Sequence, residues 1–198
     1  MIYIDDDKIP YNKIYNFNST GYHKIEIKFY DNLNMDFMFK DIIYINKIEI
    51  ISINNSKIFS IISTFENCIN LKEFNISGFD YTNLKSMKKL FYNAGISQNI
   101  SFSSYDFINL QDISYMFAYI PIKEFEFNEI NTEKIIDMPH LFEECLSLTN
   151  TDLKLNTKNV KDISYMFNSC TNKWQINLNN IDINQVIKMS NIFQKCLL

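Results

Sequence analysis

The hexapeptide DISYMF occurs twice in this chain, at residues 112–117 and again at residues 162–167. Aligning the whole chain on the last residue of this hexapeptide shows that a Phe recurs at nearly constant intervals. These anchors are Phe39, Phe65, Phe91, Phe117, Phe142, Phe167 and Phe193, which lie 26, 26, 26, 25, 25 and 26 residues apart. Spacing this even is typical of an array of repeated units.

Other residue types recur at fixed distances from each anchor. Four residues before it stand Met35, Ile61, Met87, Ile113, Met138, Ile163 and Met189, and three residues after it stand Ile42, Cys68, Ala94, Ile120, Cys145, Cys170 and Cys196. Five residues before it stand Asn34, Ser60, Ser86, Asp112, Asp137, Asp162 and Lys188, of which all but the last are N-cap residues. Apolar residues at i, i+3, i+4 and i+7 after an N-cap predict a short amphipathic helix of about two turns in each unit.

After each predicted helix comes a brief segment in which apolar and polar residues alternate. Its apolar positions are Ile48 and Ile50, Phe74 and Ile76, Ile100 and Phe102, Phe125 and Phe127, Leu153 and Leu155, and Ile176 and Leu178. Alternation with a period of two predicts a short strand with one buried face. The predicted fold is therefore an α/β solenoid of leucine-rich-repeat-like coils of 25–26 residues, each formed by a short strand and a short helix.

The first thirty residues do not fit the repeat. Strand character is present at Ile2–Ile4, Lys13–Phe17 and Tyr22–Phe29, separated by the turn-like stretches IDDDKIP and NSTG. We therefore predict a β cap at residues 1–30, followed at residues 31–198 by seven units of which the last is incomplete. An uncapped last unit would expose its core, and we expect that copies of the chain could self-associate there.

The stretches FDYTNL (79–84), DISYMF and NSC (168–170) fall in register with one another. This pattern resembles the BspA-like leucine-rich-repeat proteins, many of which are surface proteins of bacteria and of some protists. The resemblance covers roughly residues 31–198, with Lys188 in place of a capping residue and a polar strand near Thr151 as departures. It implies a curved solenoid that binds other macromolecules, and a location at the cell surface.

Composition narrows the classes of partner. The net charge is −4, and all 19 basic residues are Lys. An acidic chain without Arg lacks the guanidinium groups that usually clamp phosphates, so nucleic acid is not the expected ligand. The N-terminal stretch MIYIDDDKIP lacks the pattern of a signal peptide, and no apolar stretch is long enough to span a membrane.

The sequence does not favour a catalytic or a metal-binding site. The four Cys share a column with Ala and Ile, which favours a buried apolar slot, with a disulfide or metal set as the alternative. His140 and Glu144 are spaced to hold zinc on a helix, but an exposed polar face is the preferred interpretation. Asp5–Asp7 is interpreted as a solvated turn, with a divalent-cation site as the alternative. We expect no enzyme activity, cofactor or metal.

These observations predict a non-catalytic recognition module that binds a protein or a glycan through its strand-lined face. The alternative is a structural spacer or a self-assembling repeat. The predicted binding residues are the outward positions of the strands: Glu73, Asn75, Ser77, Glu124, Glu126, Asn128, Asp152, Lys154, Gln175, Asn177 and Asn179. This strip is polar and acidic in its middle, which suits a ligand that presents Lys, Arg or hydroxyl groups.

Overall fold

The repeated units consist of short strands and turns in a computed structural model of the chain. The described residues are 2–4, 7–9, 25–27, 32–52, 54–97, 100, 107–126, 132–152, 156–171, 175–177 and 181–196. They form the strands β1 (Ile2–Ile4), β2 (Asp7–Ile9), β3 (Ile25–Ile27), β4 (Leu33–Asn34), β5 (Lys47–Ile51), β6 (Ile58–Ser60), β7 (Glu73–Ser77), β8 (Glu124–Glu126), β9 (Asn150–Asp152) and β10 (Gln175–Asn177). None of these described residues lies in an α-helix.

The N-terminal strands form an antiparallel sheet in the order β2-β1-β3. Ile2 lies opposite Ile9 on one side and Ile27 on the other. The strands predicted at Ile2–Ile4 and within Tyr22–Phe29 are confirmed, whereas the turn predicted for IDDDKIP is wrong at Asp7–Ile9. Pairing with β1 outweighs the weak strand propensity of Asp and Lys. The strand predicted at Lys13–Phe17 lies outside the described residues, and the capping role of this sheet stays a prediction.

Strands of the repeated units pair in parallel with the equivalent strand of the next unit. In the longest pairing, Lys47 to Ile51 of β5 lie opposite Glu73 to Ser77 of β7. A second sheet has the order β10-β9-β8, and β4 pairs with β6. The strands predicted around Ile48, Phe74, Phe125 and Ile176 are thus confirmed. In the fifth unit the observed strand, β9, ends before Leu153, so it lies earlier than the strand predicted around Leu153 and Leu155. Leu153, Leu155 and Phe102 lie outside the described residues.

The segments predicted as short helices are turns instead. We name them the turn ribbon, formed by residues 35–42, 61–68, 87–94, 113–120, 138–145, 163–170 and 189–196. In every unit the residues two before and two after the anchor Phe have a positive φ, between 53° and 65°. These residues are Phe37, Asp41, Ser63, Asn67, Lys89, Asn93, Tyr115, Tyr119, His140, Glu144, Tyr165, Ser169, Asn191 and Lys195. A left-handed residue at every fourth position cannot continue a right-handed helix.

Hydrogen bonds between units explain why the turn ribbon replaces a helix. The N–H groups of Ile113, Tyr115, Phe117 and Tyr119 donate to carbonyl oxygens of the next unit at 2.7–3.1 Å. The intervening N–H groups of Met116 and Ala118 donate to carbonyls three residues earlier, at 3.2 Å each. The turn ribbon therefore satisfies its amides both within and between units. Apolar spacing does not distinguish it from a helix, because the same four positions point inward in both.

The residues predicted as helix N-caps mark the start of the turn ribbon. The side chains of Asn34, Ser86, Asp112 and Asp162 each accept a hydrogen bond from the N–H two residues later, at 2.8, 3.1, 2.8 and 2.9 Å. They therefore stabilise Asx and Ser turns rather than a helical first turn. Asp137 lacks this bond because the residue two positions later is Pro139, which has no N–H.

The anchor phenylalanines form a continuous stack through the core. Neighbouring rings in the series from Phe39 to Phe193 are 5.6–6.1 Å apart between centroids, with planes within 14° of parallel. The five inner anchors are fully buried, whereas Phe39 is half-buried and Phe193 is 38% exposed. Stacked aromatic pairs add about 0.5–1.5 kcal/mol beyond their buried area. The five inner anchors therefore pack between neighbouring units, and the structural role of the whole series stays a prediction.

The cysteines occupy a slot between units, as predicted. All four thiols are free; Cys68, Cys145 and Cys170 are buried, and Cys196 is half-buried. Each Sγ donates to the carbonyl oxygen of the anchor Phe in the preceding unit, at 2.9–3.1 Å. The thiol therefore acts as a small apolar side chain that also reaches a backbone acceptor.

Thiol reactivity should follow this burial. Burial raises the pKa of Cys68 to about 11 and that of Cys170 to about 12, and raises the pKa of Cys145 well above its ordinary value. Because the thiolate is the reactive form, we expect Cys145 and Cys170 to react with iodoacetamide at pH 8 at least about tenfold more slowly than Cys196. Peptide mass spectrometry of samples quenched over time measures this order. Denatured protein, in which all four should react at one rate, is the control, and equal rates in the native protein would contradict the prediction.

Candidate functional site

The strand face carries the residues predicted to bind a ligand. In β7, Glu73 and Asn75 are exposed and Ser77 is half-buried, whereas Ile76 between them is 6% exposed. In β8, Glu124 is exposed and Phe125 is buried. The outward orientation expected from the alternation is therefore observed for Glu73, Asn75 and Glu124, and their role in binding stays a prediction.

Pairing between units aligns polar groups across the strand face. Lys47 Nζ lies 3.2 Å from Glu73 Oε2, and Asn75 Nδ2 donates to Glu49 Oε1 at 3.3 Å. In the second sheet the backbone register places Glu126, Asp152 and Asn177 at one level, and Glu124, Asn150 and Gln175 at another. The predicted residues Asn128, Lys154 and Asn179 lie outside the described residues. So do residues 101–106 between β7 and β8, and a continuous strip from Glu73 to Asn177 stays a prediction.

A second polar and aromatic surface lies on the turn ribbon. The ring of His140 is stacked between Tyr115 and Tyr165, with centroid distances of 4.1 and 4.6 Å and planes 8° and 5° from parallel. Tyr92 contacts Tyr115 at 6.2 Å and Tyr119 at 5.2 Å. We name these five side chains the tyrosine surface. Four are half-buried and Tyr119 is 38% exposed, so the tyrosine surface is partly open to the solvent.

Charged groups border the tyrosine surface. Glu143 Oε2 lies 2.8 Å from His140 Nδ1, and Glu143 Oε1 accepts from Asn168 Nδ2 at 2.8 Å. Burial, followed by the charge of Glu143, raises the pKa of Tyr119 to about 12 and also raises the pKa of Tyr92 and Tyr115. The phenols therefore stay protonated at neutral pH and offer both a donor and an acceptor.

The zinc geometry considered for His140 is not present. His140 pairs with Glu143, three residues later, and not with Glu144, because a turn brings i and i+3 together where a helix would also have brought i+4. Within the described ranges, no three His, Cys, Asp or Glu side chains cluster closely enough to hold a metal ion. Asp7 belongs to β2, and Asp5 and Asp6 lie outside these ranges.

Sequence reasoning missed the tyrosine surface, although one signal pointed to it. Tyr115 and Tyr165 belong to the two DISYMF copies, and His140 occupies the same position between them. All three have a positive φ, at 58°, 57° and 58°. A left-handed conformation costs a non-glycine residue roughly 1–2 kcal/mol. Aromatic residues that recur in such a position have to be favoured by their side-chain contacts, because their backbone preference opposes it.

A polar groove runs beside the start of the turn ribbon. It has a volume of about 300 Å³ and is lined by Gln111, Lys134, Ile136, Asn159, Lys161 and Gln185. Lys134 Nζ donates to Asn109 Oδ1 at 2.7 Å, which holds this ammonium group against the surface. Amide and ammonium groups from four successive units therefore share one concave surface.

Comparison with protein families identifies the repeated pattern. A family described as Mycoplasma protein of unknown function, DUF285, matches residues 14–125 and 122–197. The chain belongs to the DUF285 family. The comparisons with curated proteins and with solved structures found no match. The part of this DUF285 chain that the structure describes contains no helix long and apolar enough to cross a membrane.

Proposed function

We propose that this DUF285 chain is a leucine-rich-repeat-like solenoid of the BspA type, and that it is a non-catalytic recognition module. Its ligand would be a protein that binds the exposed face of the parallel strands. The observation that supports this proposal best is the arrangement of β5 and β7. Polar side chains of both strands lie side by side in register, while the apolar side chains between them are directed into the core.

The chemistry of the exposed positions indicates the kind of protein. Glu49, Glu73 and Glu124 are exposed carboxylates on β5, β7 and β8. The ammonium group of Lys47 forms an ion pair with one of them, with its Nζ 3.2 Å from Glu73 Oε2. An exposed ion pair of this kind contributes little to stability, so both groups stay available to a partner. Carboxylates and amides in rows favour a partner surface that presents Lys, Arg or hydroxyl groups.

Charge reversal on the strand face tests this proposal. We expect the Glu73→Lys, Glu124→Lys double variant to lose capture of the partner from a cell extract, because lysines in place of these two carboxylates would repel a basic surface. The matched control is Glu133→Lys with Asp137→Lys. Glu133 is exposed and paired with Lys158 as Glu73 is paired with Lys47, and Asp137 occupies a column that carries Lys188 in the last unit.

The measurement is affinity capture by each variant and by the unchanged chain, quantified by mass spectrometry after circular dichroism has established that all three are folded. A protein retained by the unchanged chain and by the control, but lost from the strand-face variant, supports the proposal. Equal losses from both variants, or no loss from the strand-face variant, would contradict it.

A further inference from the structure

The left-handed positions two residues after each anchor Phe carry different side chains in successive units. In the first three units these residues are Asp41, Asn67 and Asn93, and their side chains form a chain of hydrogen bonds. Asn67 Nδ2 donates to Asp41 Oδ1 at 2.7 Å, and Asn93 Nδ2 donates to Asn67 Oδ1 at 3.0 Å. Asn and Asp tolerate the left-handed conformation better than other side chains. The left-handed backbone at these three positions therefore has a sufficient structural explanation.

The next two units break this pattern. Tyr119 and Glu144 stand in the same left-handed position, with φ of 65° and 56°. Tyr119 is 38% exposed. Glu144 is half-buried and directly follows Glu143, whose carbonyl oxygen accepts a hydrogen bond from the Tyr119 N–H at 2.7 Å. In these two units a partly exposed phenol and a carboxylate replace the amide ladder.

The tyrosine surface already binds one cation of the chain itself. Lys89 Nζ lies 5.0 Å from the centroid of Tyr92 and 5.5 Å from that of Tyr115, within the range of a cation–π contact. Lys89 occupies the position that Tyr115 and His140 occupy in the two following units. Lys89 thus lies over Tyr92 and Tyr115, whereas among the described residues no lysine lies over the ring of Tyr119, which is one unit before Glu144.

The rings are fixed before any ligand arrives. His140 is held between Tyr115 and Tyr165 and by Glu143, and Tyr92 packs between Tyr115 and Tyr119. Rigid aromatic side chains give up little conformational entropy on binding, which is why tyrosines are frequent in recognition surfaces. Pre-organised phenols beside a carboxylate suit a planar cation, because a guanidinium group can stack on a ring and bond a carboxylate at once.

We propose that the tyrosine surface, together with Glu144, binds an arginine side chain presented by a partner protein. The chain contains no arginine of its own, so a second copy of it cannot supply this group. The site is on the turn ribbon and is separate from the strand face, and it stands whether or not the strand face binds a ligand.

The test follows the tyrosine ring signals by NMR in protein labelled with ¹³C on tyrosine rings. The probe is the peptide acetyl-Gly-Arg-Gly-amide, and the matched probe replaces arginine by citrulline, which has the same shape without the charge. We expect the arginine peptide to shift the Tyr119 signals saturably, and the citrulline peptide to bind at least about fivefold more weakly. Glu144→Gln should weaken the arginine peptide by a similar factor.

Two control variants make the outcome decisive. Tyr44→Leu removes a tyrosine that is 89% exposed and lies in the first unit, and Glu124→Gln removes a carboxylate of the strand face; neither should change the titration. Glu144→Gln conserves shape, so a loss of binding there cannot be assigned to misfolding once the tyrosine spectrum is unchanged. Equal shifts with the citrulline peptide, unchanged affinity in Glu144→Gln, or a loss of binding in Glu124→Gln would each overturn the proposal.

Discussion

Replacing Phe117 by Ala is expected to lower the free energy of unfolding by about 3–5 kcal/mol. The Phe117 ring is fully buried and stacks on Phe91 at 6.1 Å and on Phe142 at 5.6 Å, so its removal leaves a cavity that touches three units. Because each unit of a repeat array is stabilised by its neighbours, the loss should broaden the transition as well as shift it. Urea denaturation followed by circular dichroism measures both effects.

Tyr115→Ala provides the comparison from the same hexapeptide. Tyr115 is half-buried and stacks on His140 at 4.1 Å, so we expect a loss of about 1–1.5 kcal/mol. If both substitutions destabilised the protein equally, the assignment of Phe117 to the interior and Tyr115 to the surface of the turn ribbon would be wrong.

Gly78→Ala should destabilise the protein by at least about 2 kcal/mol. Gly78 has a φ of 74°, and a Cβ added to it would lie 2.2 Å from the carbonyl oxygen of Ser52 in the preceding unit. The left-handed backbone and the contact with a neighbouring main chain both oppose any side chain. The end of β7 would have to move away from the preceding unit to accommodate the methyl group.

The neighbouring substitution Ser77→Ala is the matched control. It also places an alanine next to the same corner, at a half-buried position of β7, but it introduces no new atom. Its expected effect is within about 0.5 kcal/mol. Thermal unfolding by calorimetry compares the two variants. A Gly78→Ala protein as stable as the control would contradict the prediction, because it would show that the two units can move apart at this corner at no cost in stability.

Sequence alone predicted the periodicity, the buried columns and most strand positions, since each depends on residue types recurring at fixed intervals. It misassigned the segment around Phe117, because the apolar spacing is shared by a helix and by the turn ribbon. What decides between them is the bonding of the amides of Ile113 and Tyr115 to the next unit. Such bonds join residues about one period apart, and local propensity does not encode them.

Of the two candidate surfaces, the sequence predicted the strand face but not the tyrosine surface. Alternation within one strand was sufficient to place Glu73, Asn75 and Glu124 on the exposed face. The stack of Tyr115, His140 and Tyr165 depends on three different units and on a left-handed backbone at each of them. The pairing of His140 with Glu143 also followed from the turn, where the predicted helix had suggested Glu144.

Successive N–H groups of the turn ribbon donate alternately to the next unit and within their own unit. This alternation limits where the chain can gain or lose a single residue. Adding one residue inside the turn ribbon would exchange the N–H groups that face the next unit with those that face inward. The first of the two 25-residue units, which follows Phe117, avoids this. Strand β7 begins eight residues after Phe65 and β9 begins eight after Phe142, but β8 begins seven after Phe117. The missing residue is taken there from the corner between Ile120 and Glu124. In the second 25-residue unit, after Phe142, it is missing between Asn150 and Asp162 instead, so insertions and deletions in related chains should accumulate outside the turn ribbon.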